Sequence, residues 1–280
     1  MTPLTPDANA VPPRVFTAER PSRLAAGLFT PHRLVLLALL ACVVLLAAIY
    51  GRWDWIPTYA DRMMWGVWET VLLLVVSAGL GFCLAIPVGL AQVAGNGLLA
   101  GVARLFCTLI RGTPLLLQLW LLYYGLGSLF PMVPGIRETW MWPYLRQAWP
   151  YAVVSLTLSF AGYEGEVMRG AFAGVPRGEL EAARAFGMNS LTVFRRIWLP
   201  LAIVRTLPTL AGETVLQLKS TPLVATITVV DVYAVFARVR QDTYVVYEPL
   251  LLLALVYCCL TGVIVFGFRA LEKRLPAPRV

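Results

Sequence analysis

Thr70-Val71-Leu72-Leu73-Leu74-Val75-Val76 opens a run that reaches Ala103 without an Asp, Glu, Lys or Arg. A hydrocarbon core about 30 Å thick is crossed by roughly 20 helical residues. A transmembrane barrel strand would instead alternate apolar and polar residues over segments of about 10. The run does not alternate, so it reads as membrane helix. It is also too long for one upright crossing, and Asn96-Gly97 marks a turn within it. The second span is therefore expected from about Trp65 to Val93. Gly79, Gly81 and Gly89 would let other helices approach it closely, and Pro87 is a potential kink.

Other charge-free runs extend the pattern to the whole chain. They cover Leu34 to Gly51, Gly112 to Ile136, the residues after Arg146 up to Tyr163, and Pro249 to Phe268. Of the 280 residues, 59% are hydrophobic and only 14% are charged. Soluble domains carry about 25% charged residues, so lipid must solvate much of this chain. The expectation is an all-α integral membrane protein with about six transmembrane helices. The third is expected from near Arg104 past Tyr124, the fourth from about Pro150 to Arg169, and the fifth from Leu201 to near Pro222. Leu223 to Phe236 reads as a re-entrant or interfacial segment, and the sixth helix covers about Pro249 to Phe268. Residues 1–32 carry Pro3, Pro6, Pro12, Pro13 and Pro21 and read as a disordered tail. Residues 33–58 read as a retained first helix, because no clear small-residue cleavage site precedes Arg52.

Charge placement orients the bundle. The net charge is +8. Arg14, Arg20, Arg23 and Arg33 precede the first span; Arg269, Lys273, Arg274 and Arg279 follow the last. From Arg169 to Arg205 there are six arginines and two acids, Glu179 and Glu181. Positive charge collects on cytoplasmic loops, which predicts both termini and the 171–199 loop inside. The same placement argues against nucleic-acid binding. Five cysteines, Cys42, Cys83, Cys107, Cys258 and Cys259, lie in or beside apolar runs and read as small hydrophobes. A lone histidine, His32, builds no His-based metal site.

The loop after the fourth helix is the most informative stretch. Pro176 suits a helix start. Gly187 suits the left-handed position that ends a helix, and Asn189 or Ser190 can cap the next. Ala182, Ala183 and Ala185 make a small-residue surface from which Phe186 projects. Two readings fit these residues: a compact knob for a partner's groove, or an amphipathic loop lying on the membrane.

The order Glu181-Ala182-Ala183, three residues, Gly187, nine residues, Ile197, one residue, Leu199-Pro200 resembles the EAA loop of ABC-importer permeases. Arg111-Gly112-Thr113-Pro114-Leu115-Leu116-Leu117-Gln118-Leu119 resembles the signature of the polar amino-acid permeases. Ala161-Gly162-Tyr163, Glu166 and Arg169-Gly170 resemble that family's helix before the loop, and Gly212-Glu213, Lys219 and Thr221 a stretch after it. Val230-Asp231-Val232 and Thr243-Tyr244 place the chain near the histidine/lysine/arginine/ornithine and octopine/nopaline branch, M-type subunit. Gly212 stands where the family usually has Asn, and Pro222 where it has Ser or Ala.

That resemblance implies a type I, MetI-like importer permease fold over residues 59–275, with the coupling loop at 174–200 and a short tail at 276–280. It implies that Glu181, Ala182, Ala183, Phe186 and Gly187 dock into an ATP-binding subunit. It implies two such subunits, a second permease as hetero- or homodimer, and an external solute-binding protein. It also implies a bacterial inner-membrane location. ATP and Mg would be held by the partner ATPase, since no G-x-x-x-x-G-K-[ST] loop occurs here, and this chain would be non-catalytic without a cofactor of its own. A self-sufficient secondary transporter is the alternative. Such folds commonly carry internal repeats and paired broken helices; only one interrupted segment is seen. A membrane enzyme would need a catalytic set that the spans lack. Glu213 and Lys219, ionisable within a predicted span, are the candidate pathway residues. The competing reading pairs Glu213 with Arg205 and lets Lys219 snorkel to the interface.

Overall fold

The computed structural model describes Val35, Ala38 and residues 49–274. The chain divides into two units, Met1–Arg52 and Trp53–Val280. The expected tail, the body of the first helix, Cys42 and the segment 276–280 lie outside the described residues. The second unit is helical throughout its ordered elements.

Helix α1 (Ile56–Ala94) is a single 39-residue rod that contains Pro87. It starts earlier than the expected Trp65, because Trp55 is buried against Val232, Phe236, Val239 and Leu253 and fixes the chain's entry. Its buried stripe runs Gly66, Thr70, Leu73, Ser77, Gly81, Ala85 and Gly89. These positions recur every three or four residues, so small groups occupy one face. Its first part, at Gly66 and Thr70, meets Val232, and from Gly81 to Gly89 the face lies along α4 (Ala148–Ala173). A Cβ on Gly81 would sit 2.9 Å from the Phe160 side chain, and one on Gly89 would sit 2.6 Å from the Met168 Cβ. Two helices in lipid gain little from apolar burial alone, so close backbone approach carries the packing. Gly79 faces open space and has no such role.

The expected third helix, continuous from Arg104 past Tyr124, is two elements instead. Helix α2 (Gly97–Gly112) is capped by Asn96, whose side chain accepts from the Leu99 amide. It buries Ala100, Ala103 and Cys107 and leaves Leu98, Val102, Leu105 and Leu109 exposed. Chain direction then breaks at Thr113 (φ −111°, ψ 140°) and Pro114 (φ −59°, ψ 132°). The cause is Pro114, which disfavours helical backbone at the residue before it and offers no N–H. Helix α3 (Leu115–Met132) follows, with a wide π turn at Leu121–Leu126. Thr113 is the C-cap of α2. Its hydroxyl donates back to the Leu109 carbonyl at 2.8 Å. Gln118 closes the break instead, its amide nitrogen 2.8 Å from the Ile110 carbonyl and 2.8 Å from the Thr113 hydroxyl.

After α4 comes α5 (Arg177–Ala185), then a lead-in from Ser190 to Trp198, then α6 (Leu199–Ser220). Thr221–Ile227 winds more tightly as a 3-10 helix and stops at Thr228, whose φ of 72° is left-handed. The expected re-entrant segment is therefore shorter than Leu223 to Phe236. Asp231 caps a separate helix, α7 (Val232–Thr243), by accepting from the Ala234 amide at 2.9 Å. Helix α8 (Tyr247–Arg274) completes the unit.

Four described segments are long and apolar enough to cross a membrane: α1, α3, Ser190–Ile227 and α8. Helix α4 adds a fifth of sufficient length, since 26 residues at about 1.5 Å each span roughly 39 Å. Its polar groups, such as Ser155 and Glu164, are buried against neighbouring helices. The first of the expected six lies outside the described residues. The buried amide of Gln217 knits the centre: its nitrogen donates to Ser77 Oγ at 3.1 Å and to the Leu156 carbonyl at 2.9 Å, joining α6 to α1 and α4.

Candidate functional site

The loop between α4 and α6 is anchored by aromatic packing. Phe172 at the end of α4 meets Trp198 edge-on, with ring centroids 5.4 Å apart, and Phe194 at 6.2 Å. The Trp198 indole donates to the Phe172 carbonyl at 2.9 Å, which satisfies one of the carbonyls left open at a helix C-terminus. Arg205 brings its guanidinium to the same helix end: a Cβ on Gly174 would lie 3.2 Å from Arg205 Nη1. A cation there opposes the partial negative charge of the α4 terminus.

Helix α5 stands on this anchor. Its end is a Schellman motif: the Met188 amide donates to Ala183 at 3.2 Å and the Gly187 amide to Arg184 at 2.9 Å. Such closure places the intervening residue in the left-handed region, and Gly187 has φ 79°. Asn189 then caps the next turn by accepting from the Thr192 amide. Ala183 is buried under the helix. Glu181 and Ala182 are exposed, and Phe186 is 85% exposed at the tip. An apolar ring so exposed on an ordered knob is a surface for a partner. A recess of about 330 Å³ between Val93, Phe172, Leu180, Glu181, Arg184 and Trp198 separates α5 from the bundle end.

The structure does not bring Glu213 and Lys219 together. Six residues apart on a helix of 3.6 per turn, they point to different sides. Glu213 is half-buried on α6 and falls within electrostatic reach of Arg111 at the end of α2. Lys219 is exposed and lines a separate recess with Pro222, Tyr257 and Cys258 toward α8. No ion pair joins Glu213 to Arg205 among the described residues.

Sequence reading missed the group around Glu213. Glu164 on α4 is fully buried, neither oxygen has a hydrogen-bond partner, and Glu213 is within its electrostatic reach. Arg111 stacks over the Tyr163 ring at 5.6 Å. Only an unexplained acid beside Tyr163 could have flagged Glu164, and the charge within its reach, Glu213, lies on another helix. Cys83, Cys107, Cys258 and Cys259 are free thiols. The Cys107 sulfur accepts from the Gln92 amide at 3.5 Å.

Comparison with known proteins adds to this geometry. The profile described as "Binding-protein-dependent transport system inner membrane component" matches residues 78–276. The octopine transport system permease protein OccM of Rhizobium meliloti is 39% identical over 189 residues, covering 64% of this chain and 76% of that protein. The histidine/lysine/arginine/ornithine transport system permease protein HisM of Escherichia coli (strain K12) is 34% identical over 209 residues, covering 75% and 87%. A crystal structure of an amino acid ABC transporter with histidines superposes with TM-score 0.66 at 27% identity, over 80% of this chain and 99% of that one. An inward-facing MetNI methionine ABC transporter superposes with TM-score 0.64 over 79% of this chain and 99% of its own, at 18% identity, a likeness of fold alone.

Proposed function

This chain belongs to the family of binding-protein-dependent transport system inner membrane components, and we propose that it forms the translocation pathway of an ATP-driven importer for polar, basic amino acids or opines. The observation that carries the reading is the α5 knob: an ordered helix bearing Glu181, Ala182 and Ala183, closed by left-handed Gly187 and tipped by exposed Phe186. The substrate class follows the names of the relatives. The partners are a second permease, two ATP-binding subunits that hold ATP and Mg, and an external solute-binding protein. Residues 59–275 supply the permease domain.

In this reading ATP binding closes the ATPase pair and carries α5 with it. The aromatic anchor at Phe172, Phe194 and Trp198 passes that displacement to the ends of α4 and α6. The bundle then shifts between inward and outward openings, to an extent set by the differential affinity of ATP for the two states.

The protein is a multi-pass membrane protein, and the reading puts it in the bacterial inner membrane with both termini and α5 cytoplasmic. A single cysteine at Ala185, an exposed position, in a background without native cysteines, is expected to stay unlabelled by an impermeant thiol reagent in intact cells and to react after lysis. Labelling from outside would overturn the orientation.

Transport tests the function. Proteoliposomes holding the full assembly and its binding protein are expected to take up arginine or lysine with ATP. Glu213→Gln is expected to slow that uptake about tenfold while ATP hydrolysis continues, because a carboxylate in a low-dielectric passage favours a cation more strongly than one in water. Unchanged uptake would remove Glu213 from the pathway. Loss of both activities together with assembly would make it structural.

A further inference from the structure

A cavity lies at the end of the bundle opposite α5. Its volume is about 800 Å³, within the roughly 300–1,000 Å³ typical of small-molecule sites. It opens between the first four turns of α1, the start of α4 and the link from Thr228 into α7. Glu213 and the coupling knob take no part in it.

The walls carry both signs of charge, held apart. On α1, Arg62 and Glu69 are seven residues apart, two turns on one face and about 10 Å along the axis. Arg62 stacks over Tyr59 at 5.7 Å, and no ion pair is formed by Arg62, Arg146 or Glu69 among the described residues. Glu69 is half-buried, and Arg146 is exposed at the rim just before α4. Beside Arg146, α4 begins at Gln147 with no side-chain cap, so its first N–H groups are open to an anion. Arg238 is already committed: its Nε lies 3.3 Å from Asp242, whose same oxygen accepts from Tyr59 at 3.0 Å. Trp149 adds an aromatic wall.

A ligand that satisfies this arrangement has an acid group at one end, a cation at the other and an extended chain between. We propose that the cleft binds a free amino acid with a cationic side chain, its carboxylate at Arg146 and the uncapped start of α4, its side-chain cation at Glu69. The choice of an amino acid rests on the importer reading; the charge arrangement does not. Phosphatidylethanolamine, also a zwitterion, is the competing source of the same chemistry.

The experiment uses the assembled transporter in phosphatidylcholine nanodiscs, without binding protein or ATP, titrated with radiolabelled L-lysine. Saturable binding is expected. Glu69→Gln and Arg146→Gln should each weaken it at least tenfold, and lysinamide, which lacks the carboxylate, should compete poorly. Absence of binding to the unaltered protein overturns the proposal. So does binding that survives both substitutions but vanishes with Glu213→Gln, which would place the ligand in the membrane passage. If native mass spectrometry instead finds phosphatidylethanolamine retained by the unaltered protein, lost in Glu69→Gln and not displaced by lysine, the occupant is lipid and the solute assignment falls. Uptake by the same assemblies separates the two readings: lysine uptake without cleft binding sinks the cleft alone, and cleft binding without uptake of any basic amino acid sinks the importer alone.

Discussion

Gly89→Leu is expected to reduce the amount of folded protein recovered from membranes at least fivefold. A Cβ at this position would lie 2.6 Å from the Met168 Cβ, 2.9 Å from the Arg169 amide nitrogen and 3.0 Å from the Gly165 carbonyl oxygen. Two of those three neighbours are backbone, so no rotamer change makes room. The helices must separate, and the separation propagates along the seam that holds α1 to α4. Overpacking a tight contact typically costs about 1–3 kcal/mol, and backbone neighbours put this site at the upper end. Gly79→Leu is the control within the same helix, because a Cβ there meets nothing within 4 Å. Size-exclusion chromatography of tagged protein, normalised to expression, reads the result. Equal recovery of the two variants would refute the seam as the basis of the packing.

The second large effect falls on the coupling knob. Gly187→Asp and Glu181→Lys are each expected to cut ATP-driven uptake at least tenfold while insertion and recovery stay normal. Gly187 holds φ 79° with open space around it, so the difficulty for aspartate is conformational and electrostatic, with no clash. A left-handed backbone costs an ordinary residue roughly 1–2 kcal/mol; aspartate enters that region more readily than most, so the charge it adds at the docking surface carries the larger part of the effect. Gly187→Asn tolerates the left-handed region better than most residues and adds no charge, so it should retain a larger share of activity. Wild-type uptake in the aspartate and lysine variants would make the loop a solvated connector. Uptake lost in step with recovery would make it a folding element.

The parts legible in the sequence are those that local chemistry decides. Charge-free runs announce α1, α3 and α8 because lipid admits few alternatives. Gly187 and Asn189 announce the ends of two helices because only certain residues take those positions. The break at Thr113–Pro114 was only half legible. Proline marks it, but the residue that closes it, Gln118, looks like one polar position in an apolar helix. The centre was not legible at all. Gln217 reaches Ser77, 140 residues away, and Leu156, 61 residues away, and no spacing rule connects them. Glu164 met the same obstacle: its burial depends on how α2, α4 and α6 assemble. The membrane stripe of α1 lay between these extremes, since Gly81 and Gly89 face α4 while Gly79 does not.

The tight winding of Thr221–Ile227 gives α6 a stored reach. Seven residues rise about 2.0 Å each in a 3-10 helix against about 1.5 Å in an α-helix, so the segment extends roughly 3.5 Å farther than an α-helical winding of the same residues. That extension brings Thr226 to where the Trp120 indole donates to its hydroxyl at 3.1 Å and the Tyr124 hydroxyl donates to its carbonyl at 3.0 Å. Rewinding those seven residues would shorten the arm by more than either hydrogen bond can stretch. The two aromatic donors on α3 thus act as a gauge of pitch: they can stay attached only while the end of α6 keeps its longer form.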